Sequence, residues 1–146
     1  MFKRILIPFD GSRGAETALR QGIDLAKLCG AEVLILTVYR HHAMIEASLS
    51  MVRPKAKQSN PDEAMKEHAT EVAGYAKQIV LAEGLPSVRA FIRAGQPART
   101  IVSFAKEHEA DLIVIGARGL GSVETFLLGS VSHKVTGLSK LPVLVV

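Results

Sequence analysis

Leu112-Ile113-Val114-Ile115-Gly116-Ala117-Arg118-Gly119, followed nine residues later by Gly129-Ser130, is an apolar run of strand length that breaks into glycines and resumes as a helix-like segment. A Val/Ile/Leu run without polar alternation fits a parallel strand buried on both faces. A glycine loop joining such a strand to a helix is one unit of an open α/β sheet. In that setting Gly116 and Gly119 let the main chain turn with positive φ and approach an anion with no Cβ in the way. Gly129-Ser130 opens a helix whose first N–H groups lack a partner one turn back and favour negative charge. The Ser130 hydroxyl adds one more donor. The pattern predicts a backbone cradle for phosphate; the competing reading is that the glycines only shape a turn.

The rest of the chain repeats the alternation. Ile5–Phe9 and Val33–Val38 are further near-continuous apolar runs and are expected beside Leu112–Ile115 at the centre of a sheet. Val88–Arg93 is interrupted by Arg89 and Arg93, as an edge strand with a wetter face would be, and Val143–Val146 forms a last, wholly apolar strand after Pro142. Helical periodicity fills the intervals, which makes the chain an α/β protein with one doubly wound domain over residues 1–146.

The first helix is expected from about Gly14 to Leu28, capped by Ser12, stopped by Gly30, and buried along Ala15, Ala18, Leu19, Gly22, Ile23 and Ala26. Asn60-Pro61-Asp62-Glu63 reads as a capping box opening a second helix with Met65, Ala69, Val72, Ala76, Ile79 and Val80 inward and Gly84 at its end. A third starts near Pro97 and buries Ile101, Val102 and Ala105. A fourth runs from Ser130 to about Leu138 with Val131, Val135 and Leu138 inward.

Composition narrows the function. The 146 residues carry a formal net charge of +4, with Lys and Arg scattered along the chain and 5 % aromatic residues. Nucleic-acid binding calls for a concentrated basic face and stacking aromatics, so it is set aside. The densest basic stretch, Arg53, Lys55 and Lys57, reads as a solvated loop. Cys29 is the only cysteine, expected as a small buried apolar residue in a reducing compartment. The apolar stretch after Lys3-Arg4 is broken by Asp10-Gly11 before it reaches the length of a secretory signal, and no run approaches the roughly 20 residues of a membrane span, so a cytoplasmic protein is expected.

Ile5-Leu-Ile-Pro-Phe-Asp10-Gly-Ser12, the Gly116/Gly119/Gly129-Ser130 spacing and the closing Leu141-Pro-Val-Leu-Val-Val146 together resemble the universal stress protein family (UspA-like) over the whole chain. The glycines match the G-x2-G-x9-G-[S/T] pattern of its ATP-binding branch. The resemblance implies a five-stranded parallel sheet ordered 3-2-1-4-5 with helices on both faces, adenine nucleotide alpha hydrolase-like, and ATP across the carboxyl ends of strands one and four. That place is also where a reversal of strand order opens a crevice. It further implies that Asp10 stands near the ribose and that Pro8 and Val38 line the adenine, although by composition Asp10 could be a turn residue and the other two ordinary core. Ile115, Gly116, Ala117, Arg118, Gly119 and Gly121, with Gly129, Ser130 and Val131, match the segments that wrap the triphosphate. Arg118 could add a cationic hydrogen bond or point into solvent. Mg²⁺ would accompany the nucleotide, held mainly by phosphate oxygens and water.

Other segments say less about function. His41 to Pro54 resembles the corresponding stretch of family members that accompany TRAP-type solute transporters. Adjacent His41-His42 without a third partner read as loop residues, not metal ligands. Ile45, Leu49, Met51 and Val52 could line a subunit contact or pack on the chain's own sheet. His68, His108 and His133 are read as ordinary helix residues. A wholly apolar terminal strand invites antiparallel pairing of Val143–Val146 with a second copy, hence a homodimer, possible higher oligomers included.

The function expected is an ATP-binding regulatory protein whose nucleotide state is read by a partner such as a solute transporter. A weak ATPase or nucleotidyl-transfer enzyme is the alternative, but the chain has no G-x-x-x-x-G-K-[S/T], no second acid beside Asp10 and no evident base. A dimeric interaction protein indifferent to nucleotide is the second alternative, which the intact glycine spacing opposes. A phospho-receiver would want paired acids after the first strand and an acceptor Asp after the third, where this chain has Arg93-Ala-Gly95. A flavodoxin would want a Ser/Thr-rich loop in place of Asp10-Gly-Ser-Arg-Gly14.

Overall fold

Ile5, Leu6 and Ile7 leave β1 (Arg4–Pro8) no polar face, and all three are fully buried, so the strand is covered on both sides. The computed structural model describes residues 1–40, 61–118 and 129–146, which excludes Asn60 and the His41–Pro54 stretch, along with Gly119 and Gly121. Among the described residues α1 (Arg13–Cys29), β2 (Glu32–Tyr39), α2 (Pro61–Ala82), β3 (Val88–Ala94), α3 (Pro97–Glu107), β4 (Leu112–Ile115), α4 (Ser130–Leu138) and β5 (Val143–Val145) follow β1.

The five strands form one parallel sheet in the order β3-β2-β1-β4-β5, as the resemblance implies. β1 lies between β2, with Ile5 opposite Val33, and β4, with Ile5 opposite Leu112. Side chains alternate across the pleat and divide the core in two. Ile5, Ile7, Val33, Ile35, Leu112 and Val114 pack with Ala18, Leu19 and Ile23 of α1 and Ala76 and Val80 of α2. Leu6, Leu34, Leu36, Ile113 and Ile115 face the other way, onto Ile101 and Phe104 of α3 and Val135 of α4. Truncating any one of the leucines, isoleucines or Phe104 among these to alanine removes about 2–5 kcal/mol.

Local signals place the helices. The Ser12 hydroxyl accepts the Ala15 N–H at 3.1 Å, and Gly30 ends α1 in the left-handed conformation at φ 68°. The buried stripe of α1 is the six residues its periodicity predicts. On α2 the fully buried residues are Ala69, Ala73, Ala76 and Val80, while Met65, Val72 and Ile79 are half-buried: small side chains bring the helix close to the sheet and put larger ones on its flanks. On α3, Phe104 joins Ile101 and Ala105 inside, and Val102 is half-buried. Cys29 is half-buried, being the last residue of α1 before the chain turns at Gly30 toward β2.

One inward expectation is overturned. Leu138 is 46 % exposed, and the buried residues of α4 are Ser132 and Val135. At 3.6 residues per turn Leu138 stands about 90° round the helix from the midpoint of those two. The Ser132 hydroxyl, 2.9 Å from the Ala117 carbonyl oxygen, fixes that rotation.

β3 is an edge strand with Arg89 and Arg93 exposed, the Arg93 guanidinium 5.2 Å from the Phe104 ring centroid. At the amino end of the sheet the Asp111 carboxylate accepts the N–H groups of Lys3 and Arg4 at 2.8 and 3.1 Å, holding β1 and β4 in step. Among the described residues no helix is long and apolar enough to cross a membrane.

Candidate functional site

After β1 the chain leads through β2 to one edge of the sheet, and β4 and β5 return to the other, so the carboxyl ends of β1 and β4 diverge and open a crevice. A cavity of about 170 Å³ lies there. Ten sequence-predicted residues line it: Pro8, Asp10, Val38, Ile115, Gly116, Ala117, Arg118, Gly129, Ser130 and Val131. Gly119 and Gly121 lie outside the described residues.

Its walls are chemically divided. Pro8, Leu36, Val38, Pro97, Ile101 and Ile115 make an apolar side suited to a flat ring. Asp10, Ser12, Arg118 and Ser130 line it with polar groups. The Asp10 Oδ1 accepts the Ser12 N–H at 2.9 Å, which forms the turn into α1 and sets the carboxylate at the cavity wall. Turn residue and cavity residue are therefore both correct descriptions of Asp10. Arg118 is exposed while lining the cavity.

The glycines act by close approach. Gly116 does not have the positive φ expected of it. Its α-carbon instead lies against the first turn of α1, where an added Cβ would stand 2.6 Å from the carbonyl carbon and oxygen of Gly14. A Cβ on Gly129 would stand 2.8 Å from the Ala117 carbonyl oxygen. That oxygen accepts the Gly129 N–H at 2.5 Å and the Ser132 hydroxyl at 2.9 Å, while the Ala117 N–H donates to Val146 at 2.8 Å. The end of β4, the start of α4 and the tail of β5 thus meet at Ala117.

Gly129 caps α4 from an extended conformation, φ −62° and ψ 159°, and its carbonyl takes the first helical bond, from His133 N–H at 2.9 Å. Ser130, Val131 and Ser132, the first residues of α4, line the cavity, and a helix leaves its first amides without intrahelical partners. A helix start of this kind suits an anion, and the apolar lining suits an aromatic ring.

Sequence reasoning missed Ser132 and, in the apolar wall, Leu36, Pro97 and Ile101, as well as Gly14, which lies against Gly116 and Arg118 behind the cavity lining. Leu36 was within reach, because it shares a strand face with Val38 two residues on. None of the described histidines lines this cavity: His68 is exposed on α2, His108 stacks on Phe104 with centroids 3.8 Å apart, and His133 is exposed on α4. Among the described residues no group of three or more His, Cys, Asp or Glu could hold a metal ion.

Known proteins resemble this chain in sequence and fold. Universal stress protein YxiE of Bacillus subtilis is 34 % identical over 148 residues, covering 100 % of this chain and 99 % of its own. A universal stress protein solved in complex with cAMP is 25 % identical with a TM-score of 0.74, over 99 % of this chain and 97 % of its own. The universal stress protein of Archaeoglobus fulgidus in complex with dAMP is 26 % identical with a TM-score of 0.69, over 98 % and 96 %. The universal stress protein family model matches residues 1–146, and with the likeness to YxiE this establishes that the chain belongs to the universal stress protein family.

Proposed function

We propose that the protein is an ATP-binding regulatory protein of the cytoplasm, with the nucleotide in the cavity at the carboxyl ends of β1 and β4. The observation that carries this is the convergence of ten of the residues named from the sequence on one cavity, lined both by apolar side chains and by the first turn of α4. Two structural relatives in complex with adenine nucleotides support it. The base packs against Pro8 and Val38, with Leu36 and Ile101 closing the apolar wall. Asp10 accepts from the sugar hydroxyls. The phosphates lie on Gly116, Ala117 and Arg118 and on the amides of Gly129, Ser130 and Val131, with Gly119 and Gly121 completing the loop. Mg²⁺ is held mainly by phosphate oxygens and water.

The site is built for binding, with at most slow hydrolysis of ATP. Phosphoryl transfer needs a positioned base or nucleophile beside concentrated positive charge. Among its described lining residues the cavity offers one carboxylate, Asp10, and that group already forms a turn. The bound state is then reported to a partner, a solute transporter being the reading that His41–Pro54 favours, by a homodimer paired through Val143–Val146. ATP drives such a switch only through a difference in affinity for its two states.

Mass spectrometry of small molecules released from the purified protein tests the core of this. Adenine nucleotide recovered in near-stoichiometric amount is expected. Protein that carries none and gives no heat on titration with ATP or AMP overturns the assignment. Limited proteolysis unchanged by saturating ATP overturns the switch alone.

A further inference from the structure

A second cavity of about 570 Å³ lies beside the first, between the start of α3 and one face of α4. The two share Pro97, Ser130 and Val131 as a common rim. Arg40, Arg99 and Lys134 line the second one, and among its described lining residues there is no acidic side chain. Like charges facing one concavity raise its potential and draw an anion into it. The volume falls in the range of about 300–1,000 Å³ common for small-molecule sites.

α4 gives this cleft a direction. Ser130 and Val131 stand at the shared rim, His133 and Lys134 one turn on, and Gly137 and Leu138 a further turn on, all on one helix face. With a rise of 1.5 Å per residue the cleft runs about 11 Å from rim to Leu138. A ligand leaving the phosphate cradle therefore meets cations first and then the exposed apolar side chain of Leu138. That sequence of surfaces matches further phosphate followed by a second ring system.

We infer that this cleft receives the remainder of a nucleotide larger than ATP, a phosphate chain carrying a second nucleoside, as in a dinucleoside polyphosphate whose first base occupies the cavity at Pro8 and Val38. The inference rests on the nucleotide reading of that first cavity. The shared rim favours one continuous ligand over an acidic segment of a partner protein, which would have no need of it.

Calorimetric titration of the intact protein with AMP, ATP and diadenosine tetraphosphate tests this on wild type, on an Arg99→Ala/Lys134→Ala double variant and on Leu138→Asp. Wild type is expected to bind the dinucleotide about tenfold more tightly than ATP. The double variant should lose about 10–30-fold for the dinucleotide, with AMP within about twofold of wild type, as the loss of two charge-assisted contacts predicts. Leu138→Asp should weaken the dinucleotide and leave ATP unchanged. Equal dinucleotide affinity in wild type and double variant overturns the inference. So does inorganic tripolyphosphate binding as tightly as the dinucleotide, which would mark a free-anion site. Loss of an acidic partner protein from the double variant with dinucleotide binding intact overturns it in favour of docking. Wild-type protein that binds none of the three nucleotides defeats the nucleotide reading itself, a pattern distinct from AMP binding without dinucleotide preference.

Discussion

The carbonyl oxygen of Arg118 occupies the space that the Cβ of any residue other than glycine would need at position 14, in the first turn of α1. Gly116 presses on the same turn from the other side, with its missing Cβ 2.6 Å from the Gly14 carbonyl. Two segments about a hundred residues apart in sequence thus form one corner of bare main chain. A displacement of the segment after β4, on ligand binding or release, has to be felt by α1.

Gly14→Ala isolates that contact. In an ordinary helix the change to alanine is worth up to about 1 kcal/mol in favour of the variant. Here the added methyl has to push either α1 or the Arg118 backbone, and overpacking of this kind costs about 1–3 kcal/mol. The expected result is a Tm lowered by several degrees and ATP affinity reduced about tenfold or more, read by thermal denaturation and calorimetry. A variant more stable than wild type with unchanged affinity would mean that the corner relaxes freely.

Asp10→Asn separates the two roles of Asp10. The Asn side-chain oxygen can still accept the Ser12 N–H, so the turn into α1 survives and the Tm should stay within about 2 °C of wild type. The charge is gone, and acceptance from sugar hydroxyls weakens by about 1 kcal/mol, a fall of about five- to tenfold in ATP affinity. With 2′-deoxy-ATP, which offers one hydroxyl fewer, the fall should be smaller. Equal losses for both nucleotides would place Asp10 away from the sugar.

What the sequence discloses depends on the range of the interaction. The stripe of α1 and its two caps were legible residue by residue, because 3.6-residue spacing, Ser12 and Gly30 act within a few positions of themselves. The candidate site residues came through resemblance, and ten of them line one cavity because they stand beside one topological switch point. The Gly14–Arg118 contact was not legible: it is backbone on backbone across a hundred residues, and glycine at 14 reads locally as a weak helix former. Nor was the rotation of α4, since a serine in a helix does not announce that its hydroxyl will bond the Ala117 carbonyl and turn Leu138 away from the core. The scatter of Lys and Arg along the chain is real, yet Arg40, Arg99 and Lys134 meet at one cleft. Linear spacing cannot show a concentration that only folding creates.

Val145→Pro tests the subunit contact without touching the sheet. The Pro142 carbonyl accepts from Ile113 and the Val146 N–H donates to Ile115, so the even-numbered residues of the last strand bond β4, and by alternation the N–H groups of Val143 and Val145 point away from it. That edge is the last in the sheet, and Leu144 is 38 % exposed. Proline at 145 removes a donor from the open side alone, a position where sheets accept it. If two copies pair antiparallel through Val143–Val146, sedimentation velocity at micromolar concentration should show wild type as a dimer or larger and the variant as a monomer with its Tm in the folded range. ATP binding should persist, because Ala117 and Val146 keep their hydrogen bond. A variant that sediments as wild type does places the subunit contact on another surface, and a wild type that is already monomeric removes it.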